Sequence, residues 1–408
     1  MSIVIAFTGS FCASEPVLVD LIESTGYGRI GDADLVAAAS SASGLGVEKI
    51  RRALGAKTSV FNKFTHEKEC AAAYLRQALA RRLNEAEGLI VEGCTGLLVP
   101  RRVTHALRVC LIADFNFRQA QAVAAGLSAK EALRQIRRDD EDCTAWTQFA
   151  LAQPDPWAAD AYDMVIPMHK SDPGKAADLI AENLLKPPLR PNADSRQAVA
   201  DFLLAADTEV ALASAGHNVS VSADRGAVTL TINKQVLMLS RLSEDLRRIA
   251  EQVPGVTTVT TTVGTDFHQS QIYRRHSFET PSRVLLVDDE RDFIQTLSER
   301  LELRDMGSAV VYSGESALEM VAEDEPDVMI IDLKMPGIDG MEVLRQVKTT
   351  RPEIEVIVLT GHGSAADEAR CRELGAFAYL QKPVNIEELS DILQQAHEKI
   401  RRTTAGRS

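Results

Sequence analysis

Short apolar runs recur in the last third of the chain, and stretches with helical periodicity separate them. The runs cover residues 284–287, 328–331, 356–359 and 377–380. Runs of this length between helical stretches are typical of parallel strands that are buried on both faces. The pattern therefore predicts an α/β domain with a parallel sheet over residues 282–402.

The first 188 residues show a second alternation of strand and helix patterns. Strands are predicted at 2–7, 88–93, 107–112 and 163–167, and helices at 15–24, 68–84, 129–137 and 175–185. This alternation favours a doubly wound α/β domain over residues 1–188.

A third pattern lies between these two regions. The proline-rich stretch 186–194 predicts a stiff linker. After it, the predicted order is a helix (195–206), two strands (218–222 and 227–233), a helix (238–252) and a strand (255–263). The turn residues 224–226 between alternating strands predict a β-hairpin. We expect a small α+β domain over residues 192–266 and a polar linker over residues 267–281.

Composition and cysteine usage narrow the class of protein. The 408 residues are 45% hydrophobic and 25% charged, which is ordinary for soluble chains. No apolar stretch approaches the ~20 residues of a membrane span, so a cytoplasmic protein is expected. The six cysteines form no CxxC pair and no zinc-ligand spacing, so they are interpreted as reduced, small apolar residues.

The net charge of −13 is concentrated near the end of the chain. Residues 281–408 carry 25 acidic and 15 basic residues, whereas residues 1–190 carry 23 and 22. A DNA-binding domain is typically basic on one face. We therefore expect no DNA-binding output domain.

Five polar residues stand at or just beyond the ends of the C-terminal apolar runs: Asp288, Asp289, Asp332, Thr360 and Lys382. Sites in parallel α/β sheets form at the carboxyl ends of the strands, so the five side chains are expected to meet at one rim. Clustered carboxylates suit Mg²⁺. A carboxylate can also act as a nucleophile toward phosphorus, and a fixed ammonium group stabilises the transferring oxygens. The pattern predicts a magnesium-dependent phosphoryl site.

The sequence around these residues resembles the receiver domain of two-component response regulators, the CheY-like fold. The matching segments are VLLVDDE (284–290), MIIDLKMPGIDG (329–340), VIVLTGHGS (356–364) and AFAYLQKP (376–383). The resemblance implies a (βα)5 flavodoxin-like fold. It also implies a sensor histidine kinase or a phosphotransfer protein as partner.

The resemblance assigns a role to each residue of the site. Asp332 is implied as the phosphoacceptor. Asp289, Asp332 and the backbone carbonyl of Lys334 are implied as ligands of Mg²⁺, with Asp288 acting through water. Thr360 and Tyr379 are implied as the switch pair.

The same resemblance implies that Lys382 binds the phosphate.

The N-terminal region resembles the cytidylate-kinase-like branch of the P-loop nucleoside monophosphate kinases. The segments that carry the resemblance are GLIVEG (88–93), the stretch 108–142 and YDMVIP (162–167). The phosphate-binding loop departs from the family pattern. Gly9 and Ser10 are retained as a vestigial nucleotide loop, but Ser14 replaces a glycine and Glu15 replaces the phosphate-binding lysine. We interpret this domain as a kinase fold without catalysis; a working kinase with a variant loop is the alternative.

The middle region resembles the BON domain, a small αββαβ module associated with phospholipid-containing surfaces. VSADRGAVTLTI (221–232) and LRRIAEQVPGVTTVTTTV (246–263) carry this resemblance. Residues 191–280 carry 10 acidic and 8 basic residues, so attraction to an anionic membrane is expected to be weak. A protein-contact or spacer role is therefore favoured.

Three functions follow from these patterns. The leading hypothesis is a cytoplasmic response regulator whose receiver accepts a phosphoryl group on Asp332 and switches contacts of the upstream domains. The alternatives are a receiver-regulated nucleoside monophosphate kinase that uses ATP, and an adaptor that scaffolds partners. The sequence leaves open whether the chain forms a homodimer.

Overall fold

The computed structural model describes residues 2–233, 239–264, 283–302, 304, 306–361 and 364–405. The chain divides into two compact units. The first comprises Met1–Thr58 and Glu67–Arg274, and the second comprises Ser59–His66 and Arg275–Ser408. The predicted linker 267–281 lies outside the described residues. Among the helices that are described, none combines the length and the apolar character needed to cross a membrane.

The first unit contains a five-stranded parallel sheet in the order β2-β3-β1-β4-β5. Its strands are β1 (Ile3–Thr8), β2 (Gly28–Gly31), β3 (Leu89–Glu92), β4 (Ala106–Ile112) and β5 (Met164–Pro167). The helices of this region are α1 (Ser14–Thr25), α2 (Asp32–Ser43), α3 (Val47–Ala53), α5 (Glu67–Glu85), α6 (Phe115–Ala124), α7 (Ala129–Leu151) and α8 (Pro173–Leu184). The central strand β1 is buried on both faces, since Val4 and Ile5 are inaccessible to solvent. The predicted α/β class is confirmed.

Several elements of this sheet region were not predicted. Strand β2 reads GRIG, with only Ile30 as an apolar residue, and its parallel pairing with β3 stabilises it as an edge strand. Helix α2 buries Leu35, Val36 and Ala39 on an alanine- and serine-rich sequence that has little contrast between its faces. Helical periodicity is weak where alanine forms the buried face, because alanine contributes little apolar area.

The first unit also contains a three-stranded sheet in the order β6-β7-β8. Its elements are α9 (Ala193–Ser214), β6 (Ser220–Asp224), β7 (Ala227–Ile232), α10 (Leu239–Ala250) and β8 (Thr258–Val263). Strands β6 and β7 pair antiparallel, so the predicted hairpin is present. Its two central residues, Arg225 and Gly226, have φ values of 50° and 88°. Positive φ at both positions is the geometry of a type I′ turn, which matches the twist of the flanking strands.

The second unit contains a parallel sheet in the order β10-β9-β11-β12-β13. Its strands are β9 (Val284–Val287), β10 (Ser308–Val311), β11 (Val328–Ile331), β12 (Glu355–Thr360) and β13 (Ala378–Gln381). The helices are α11 (Arg291–Glu302), α12 (Gly314–Glu323), α13 (Gly340–Thr350), α14 (Ala365–Glu373) and α15 (Ile386–Ala405). The strand order reverses between β9 and β11, where the carboxyl ends of parallel strands form a crevice. The structure therefore places the predicted polar residues at the rim where such sheets carry their sites.

The eight residues Ser59–His66, which include the short helix α4 (Asn62–Thr65), group with the second unit. Phe61 is completely buried in the hydrophobic cluster that also contains Leu285. The hydroxyl of Ser59 and the backbone N–H of Val60 each donate to one carboxylate oxygen of Asp324, at 2.8 Å. A segment remote in sequence therefore completes the core of this unit.

Arg283 completes the contacts of this segment. Its guanidinium donates to the other oxygen of Asp324 at 2.5 Å, and it lies 5.2 Å from the centre of the Phe61 ring. Arg283 and Asp324 are both buried, so each compensates the charge of the other.

Candidate phosphoryl-transfer site

Backbone hydrogen bonds hold the predicted site residues at the carboxyl ends of the strands of the second unit. The N–H of Asp288 donates to the carbonyl of Val311 at 3.3 Å, and that of Asp332 donates to Val287 at 3.0 Å. The N–H of Lys382 donates to the carbonyl of Thr360 at 3.0 Å. These bonds extend the sheet ladder one residue beyond each strand, so the side chains that follow the strands project from the same rim.

Three carboxylates converge at this rim. Asp288, Asp289 and Asp332 each offer an oxygen, and these oxygens all lie within 4.8 Å of one another. Asp288 is only 1% exposed and Asp332 only 6%, whereas Asp289 is exposed. The cluster is thus buried on one side and open to solvent on the other, which leaves the carboxylates accessible to a ligand from solvent.

Lys382 lies across the carboxylates. Its Nζ is 2.6 Å from Oδ2 of Asp288 and 3.3 Å from Oδ2 of Asp332. It also contacts Oε1 of Glu290 at 3.0 Å and lies 4.5 Å from the centre of the Phe293 ring. A single ammonium group therefore bridges the ends of three strand segments.

The electrostatics of the site favour binding of a further cation. Burial raises the pKa of Asp288 above its usual value, although the hydrogen bond and charge of Lys382 lower it in part. Burial acts to lower the pKa of Lys382, but the neighbouring carboxylates outweigh burial and the pKa is raised. Lys382 is therefore an ammonium ion at neutral pH, and one positive charge faces a larger number of acidic groups. Such an excess of carboxylates attracts a divalent cation with hard oxygen preferences.

The two buried carboxylates differ in how strongly they are held. Both oxygens of Asp288 are engaged, one by the N–H of Glu290 at 2.9 Å and the other by Lys382 at 2.6 Å. Asp332 has longer contacts, 3.3 Å to Lys382 and 3.5 Å to the N–H of Lys334. Asp332 therefore keeps more of its lone-pair capacity for a reaction.

The loop after β11 packs tightly behind Asp332. A Cβ atom on Gly340 would lie 2.0 Å from the backbone oxygen of Asp332, so no larger residue fits without moving that loop. Gly337, in the same loop, has a φ of 81°, which favours glycine. Steric and backbone constraints near Asp332 thus explain why glycine stands at positions 337 and 340.

The predicted switch residues lie on neighbouring strands. Thr360 ends β12 and is 1% exposed. Tyr379 lies in β13, where it is paired with Val358. Its hydroxyl is buried and has no hydrogen-bond partner among the described residues, and burial raises its pKa.

Sequence reasoning missed two residues of this site, Glu290 and Phe293. Glu290 directly follows the aspartate pair in the chain, and that adjacency was the available signal. Phe293 lies in α11 and had no signal, because an aromatic residue on a helix is ordinarily part of the core.

In the first unit, charged side chains of the protein itself pair with one another beside the vestigial nucleotide loop, which contains Gly9, Ser10 and Ser14. Arg118 donates to the carbonyl and the hydroxyl of Ser10, at 2.8 and 3.0 Å, and forms two hydrogen bonds with Asp140. Ser14 begins α1, and Glu15, at the lysine position of the family pattern, pairs with Arg29 at 2.6 Å. Arg29 and Arg118 are therefore both already paired with carboxylates.

A cleft of about 320 Å³ opens beside this loop and is lined by Gly9 and Ser10 together with acidic residues. The acidic residues are Asp32, Glu92, Asp139 and Asp140. Burial raises the pKa values of Asp32 and Asp139. The lining is opposite in charge to what phosphate groups require.

Comparisons with known proteins match two segments of the chain. Residues 284–394 match the family model described as "Response regulator receiver domain". Residues 15–170 match the model described as "Cytidylate kinase-like family".

Individual relatives match about a quarter to a third of the chain. Response regulator MprA of Mycolicibacterium vanbaalenii is 36% identical over 124 residues, which cover 30% of this chain and 52% of the relative. Response regulator MprA of Mycobacterium leprae is 38% identical over 107 residues, which cover 26% and 47%. The chain spans about half the length of these curated relatives.

A solved response regulator receiver domain protein from Clostridium thermocellum is 34% identical, covering 29% of this chain and 97% of that chain with a TM-score of 0.29.

The two segments that match family models lie within the two predicted α/β regions. The chain therefore contains a response regulator receiver domain at residues 284–394 and, over residues 15–170, a segment that matches the cytidylate kinase-like family.

Proposed function

We propose that this chain is a cytoplasmic response regulator of a two-component phosphorelay and that Asp332 accepts the phosphoryl group. The observation that carries the proposal is the cluster of three carboxylates within 4.8 Å, with Lys382 bridging two of them. The donor is a sensor histidine kinase or a phosphotransfer protein, and a small acyl phosphate can replace it in the test tube.

The transfer step assigns a task to each side chain. A carboxylate oxygen of Asp332 forms a bond to phosphorus while the bond between phosphorus and the donor atom breaks, and the donor leaves with the bonding pair. Lys382 offsets the negative charge of the transferring oxygens, as it already lies 3.3 Å from Asp332. The hydroxyl of Thr360 donates a hydrogen bond to the new phosphoryl group.

The acidic cluster fits Mg²⁺. Asp289, Asp332 and the backbone carbonyl of Lys334 would hold the ion, and Asp288 would contribute through water. When bound, the ion neutralises charge on the phosphoryl oxygens and orients them. The donor set consists of hard oxygen atoms, which Mg²⁺ prefers over nitrogen or sulfur ligands.

The modification acts as a switch through charge. A phosphoryl group adds about −1.5 to −2 charges at neutral pH. This draws Thr360 toward the phosphoryl group, and Tyr379 responds because its buried hydroxyl has no competing partner among the described residues. The surface near α14 and α15 changes with it, and the upstream domains carry the output.

We assign the upstream output to two domains. These are the cytidylate-kinase-like domain, residues 1–188, and the BON-like domain, residues 192–266, which acts as a protein-contact or spacer module. The receiver itself extends over residues 282–402, and residues 267–281 join it to the rest.

The test is the variant Asp332→Asn, incubated with acetyl phosphate and Mg²⁺ and analysed by intact mass spectrometry. The wild-type protein is expected to gain the mass of one phosphoryl group, and the variant is not. Asp339→Asn is the matched control, because Asp339 is exposed in the same loop and caps α13 through its side chain, which asparagine can also do. Labelling of Asp332→Asn at the wild-type rate would show that the acceptor is a different residue.

The second candidate function is a nucleoside monophosphate kinase, which the match over residues 15–170 supports. The pairing of Glu15 with Arg29 and the acidic cleft argue against phosphate binding there. An assay of ATP-dependent phosphorylation of CMP by the full chain separates the two candidates. Turnover would establish the enzyme, and its absence together with phosphorylation of Asp332 would favour the response regulator.

A further inference from the structure

Two cysteines of the first unit lie next to each other although 49 positions separate them in sequence. Cys94 begins a short 3₁₀ helix, Cys94–Leu98, just after β3, and Cys143 lies in α7. Their Sγ atoms are 2.6 Å apart, and both residues are free thiols. A disulfide bond is about 2.05 Å long, so a small displacement is enough to join the two atoms.

Contacts on both sides hold the pair in place. The backbone N–H of Cys94 donates to Oδ2 of Asp32 at 3.0 Å. The indole N–H of Trp146 donates to the carbonyl of Cys94 at 3.2 Å, and Trp146 is fully buried about one helical turn beyond Cys143. The two backbones are therefore fixed relative to each other, which favours bond formation without rearrangement of the fold.

The thiols are also reachable. Cys94 and Cys143 both line the cleft of about 320 Å³ beside Gly9 and Ser10. Cys143 is 7% exposed, and Cys94 is more exposed than this. Of the two residues, Cys94 is therefore the more accessible to a small molecule in the cleft.

We propose that Cys94 and Cys143 form an oxidisable dithiol that a small hydroperoxide converts into a disulfide. The sulfur of Cys94 attacks the terminal oxygen of the hydroperoxide and the O–O bond breaks. The other oxygen leaves with the thiol proton as water or an alcohol. Cys94 then carries a sulfenic acid.

The second step uses Cys143. Its sulfur attacks the sulfur of Cys94, the S–S bond forms and the S–O bond breaks. The hydroxide leaves as water with the proton of Cys143. The two thiols lose two electrons in total, and the hydroperoxide gains them.

The rate depends on pH. The hydrogen bond with Cys143 and burial raise the pKa of Cys94, so the thiol remains protonated at neutral pH. Because the thiolate is the reactive form, oxidation accelerates as the pH rises. The disulfide would tie the edge of the cleft at Cys94 to α7, and the cleft thereby becomes sensitive to oxidants independently of the receiver.

The test uses the full-length protein and hydrogen peroxide. After oxidation, free thiols are blocked with N-ethylmaleimide and the protein is digested with trypsin without reduction. Cleavage after lysine and arginine places Cys94 in the peptide 83–101 and Cys143 in the peptide 139–170, with the other four cysteines in separate peptides. The expected result is a cross-linked pair of these two peptides that dithiothreitol separates.

Two variants locate the steps. In Cys143→Ser the cross-link is lost, and Cys94 accumulates as a sulfenic acid that dimedone traps. In Cys110→Ser, which changes another buried cysteine of the same hydrophobic cluster, the cross-link persists. If the oxidised wild-type protein keeps both peptides fully alkylated, or if Cys94 is joined to Cys110 instead, the proposal is wrong.

Discussion

Replacement of Lys382 by methionine tests whether this ammonium group holds the acidic cluster together. The variant keeps most of the side-chain volume and removes the charge that lies 2.6 Å from Asp288 and 3.3 Å from Asp332. At an effective dielectric constant of about 20, attraction across 3.3 Å is about 5 kcal/mol before desolvation is counted. Removal of one partner from a buried pair typically costs ~3–5 kcal/mol, so we expect the free energy of unfolding of the second unit to fall by about 3 kcal/mol.

The loss should depend on pH in a defined direction. The pKa of Asp288 is already raised by burial, and loss of the ammonium group raises it further. A carboxyl group whose pKa is higher in the folded state than in the unfolded state destabilises the fold when it is ionised. The deficit of Lys382→Met is therefore largest above the raised pKa, and it disappears as the pH falls below the unfolded value of about 3.9.

Hydrogen–deuterium exchange measured by mass spectrometry suits this variant, because both tryptophans, Trp146 and Trp157, belong to the first unit and do not report on the second. Peptides from β9 and β11 should exchange about a hundredfold faster at neutral pH in the variant, since ~1.4 kcal/mol corresponds to a factor of ten. Added Mg²⁺ should slow exchange more in the variant than in the wild type, because it supplies the missing positive charge.

Glu290→Gln is the matched control. Glu290 also contacts Lys382, but its side chain is 64% exposed, so its loss should change the stability by less than about 1 kcal/mol. If Lys382→Met exchanges at the wild-type rate at neutral pH, or if its deficit is the same at pH 4 and pH 7, the electrostatic reasoning is refuted.

Three further substitutions test other parts of the structure. Tyr379→Phe removes a buried hydroxyl that has no partner among the described residues, so hydrogen exchange of β13 should stay unchanged or slow slightly. A loss of more than about 1 kcal/mol in stability would show that the hydroxyl does have a hydrogen-bond partner. Phe61→Ala should destabilise the second unit by ~3–5 kcal/mol in urea-dependent exchange of β11, whereas the partly exposed Phe149→Ala should leave that exchange unaltered. Arg225→Asn should stabilise the first unit by up to about 1 kcal/mol and raise its thermal midpoint, because asparagine tolerates a φ of 50° better than arginine does. A lowered midpoint would contradict the turn assignment.

The edge strand β10 of the receiver was not predicted. The inner strands β9, β11 and β12 were predictable because they are buried on both faces. Such strands must be apolar over their whole length, and a continuous apolar run is visible in a single sequence. The residues that end those runs, Asp288, Asp332, Thr360 and Lys382, could be grouped because the topology of a parallel sheet brings strand ends together. The hairpin at Arg225 was predictable for a similarly local reason, since the turn chemistry lies between two alternating segments.

Elements stabilised by pairing were harder to predict. Strand β2 has one buried apolar residue, and its pairing with β3 stabilises it. Helix α2 buries Ala39 beside Leu35 and Val36, so its sequence lacks the periodic pattern of large apolar residues by which a helix is predicted. The element pattern also gave no sign that Phe61 belongs to the core of the second unit, because that residue is more than 200 positions away from Leu285 in the chain.

Local sequence thus established the class of each α/β region, four of the five strands of the receiver and five residues of its rim. The packing of remote segments established the remaining features: the bridge from Lys382 to Glu290, the pairing of Arg118 with Asp140 beside Ser10, and the contact between Cys94 and Cys143. The physical reason is the range of the interactions. Hydrophobic periodicity and turn chemistry act over a few residues, whereas an ion pair or a thiol contact depends on where the whole fold places two side chains.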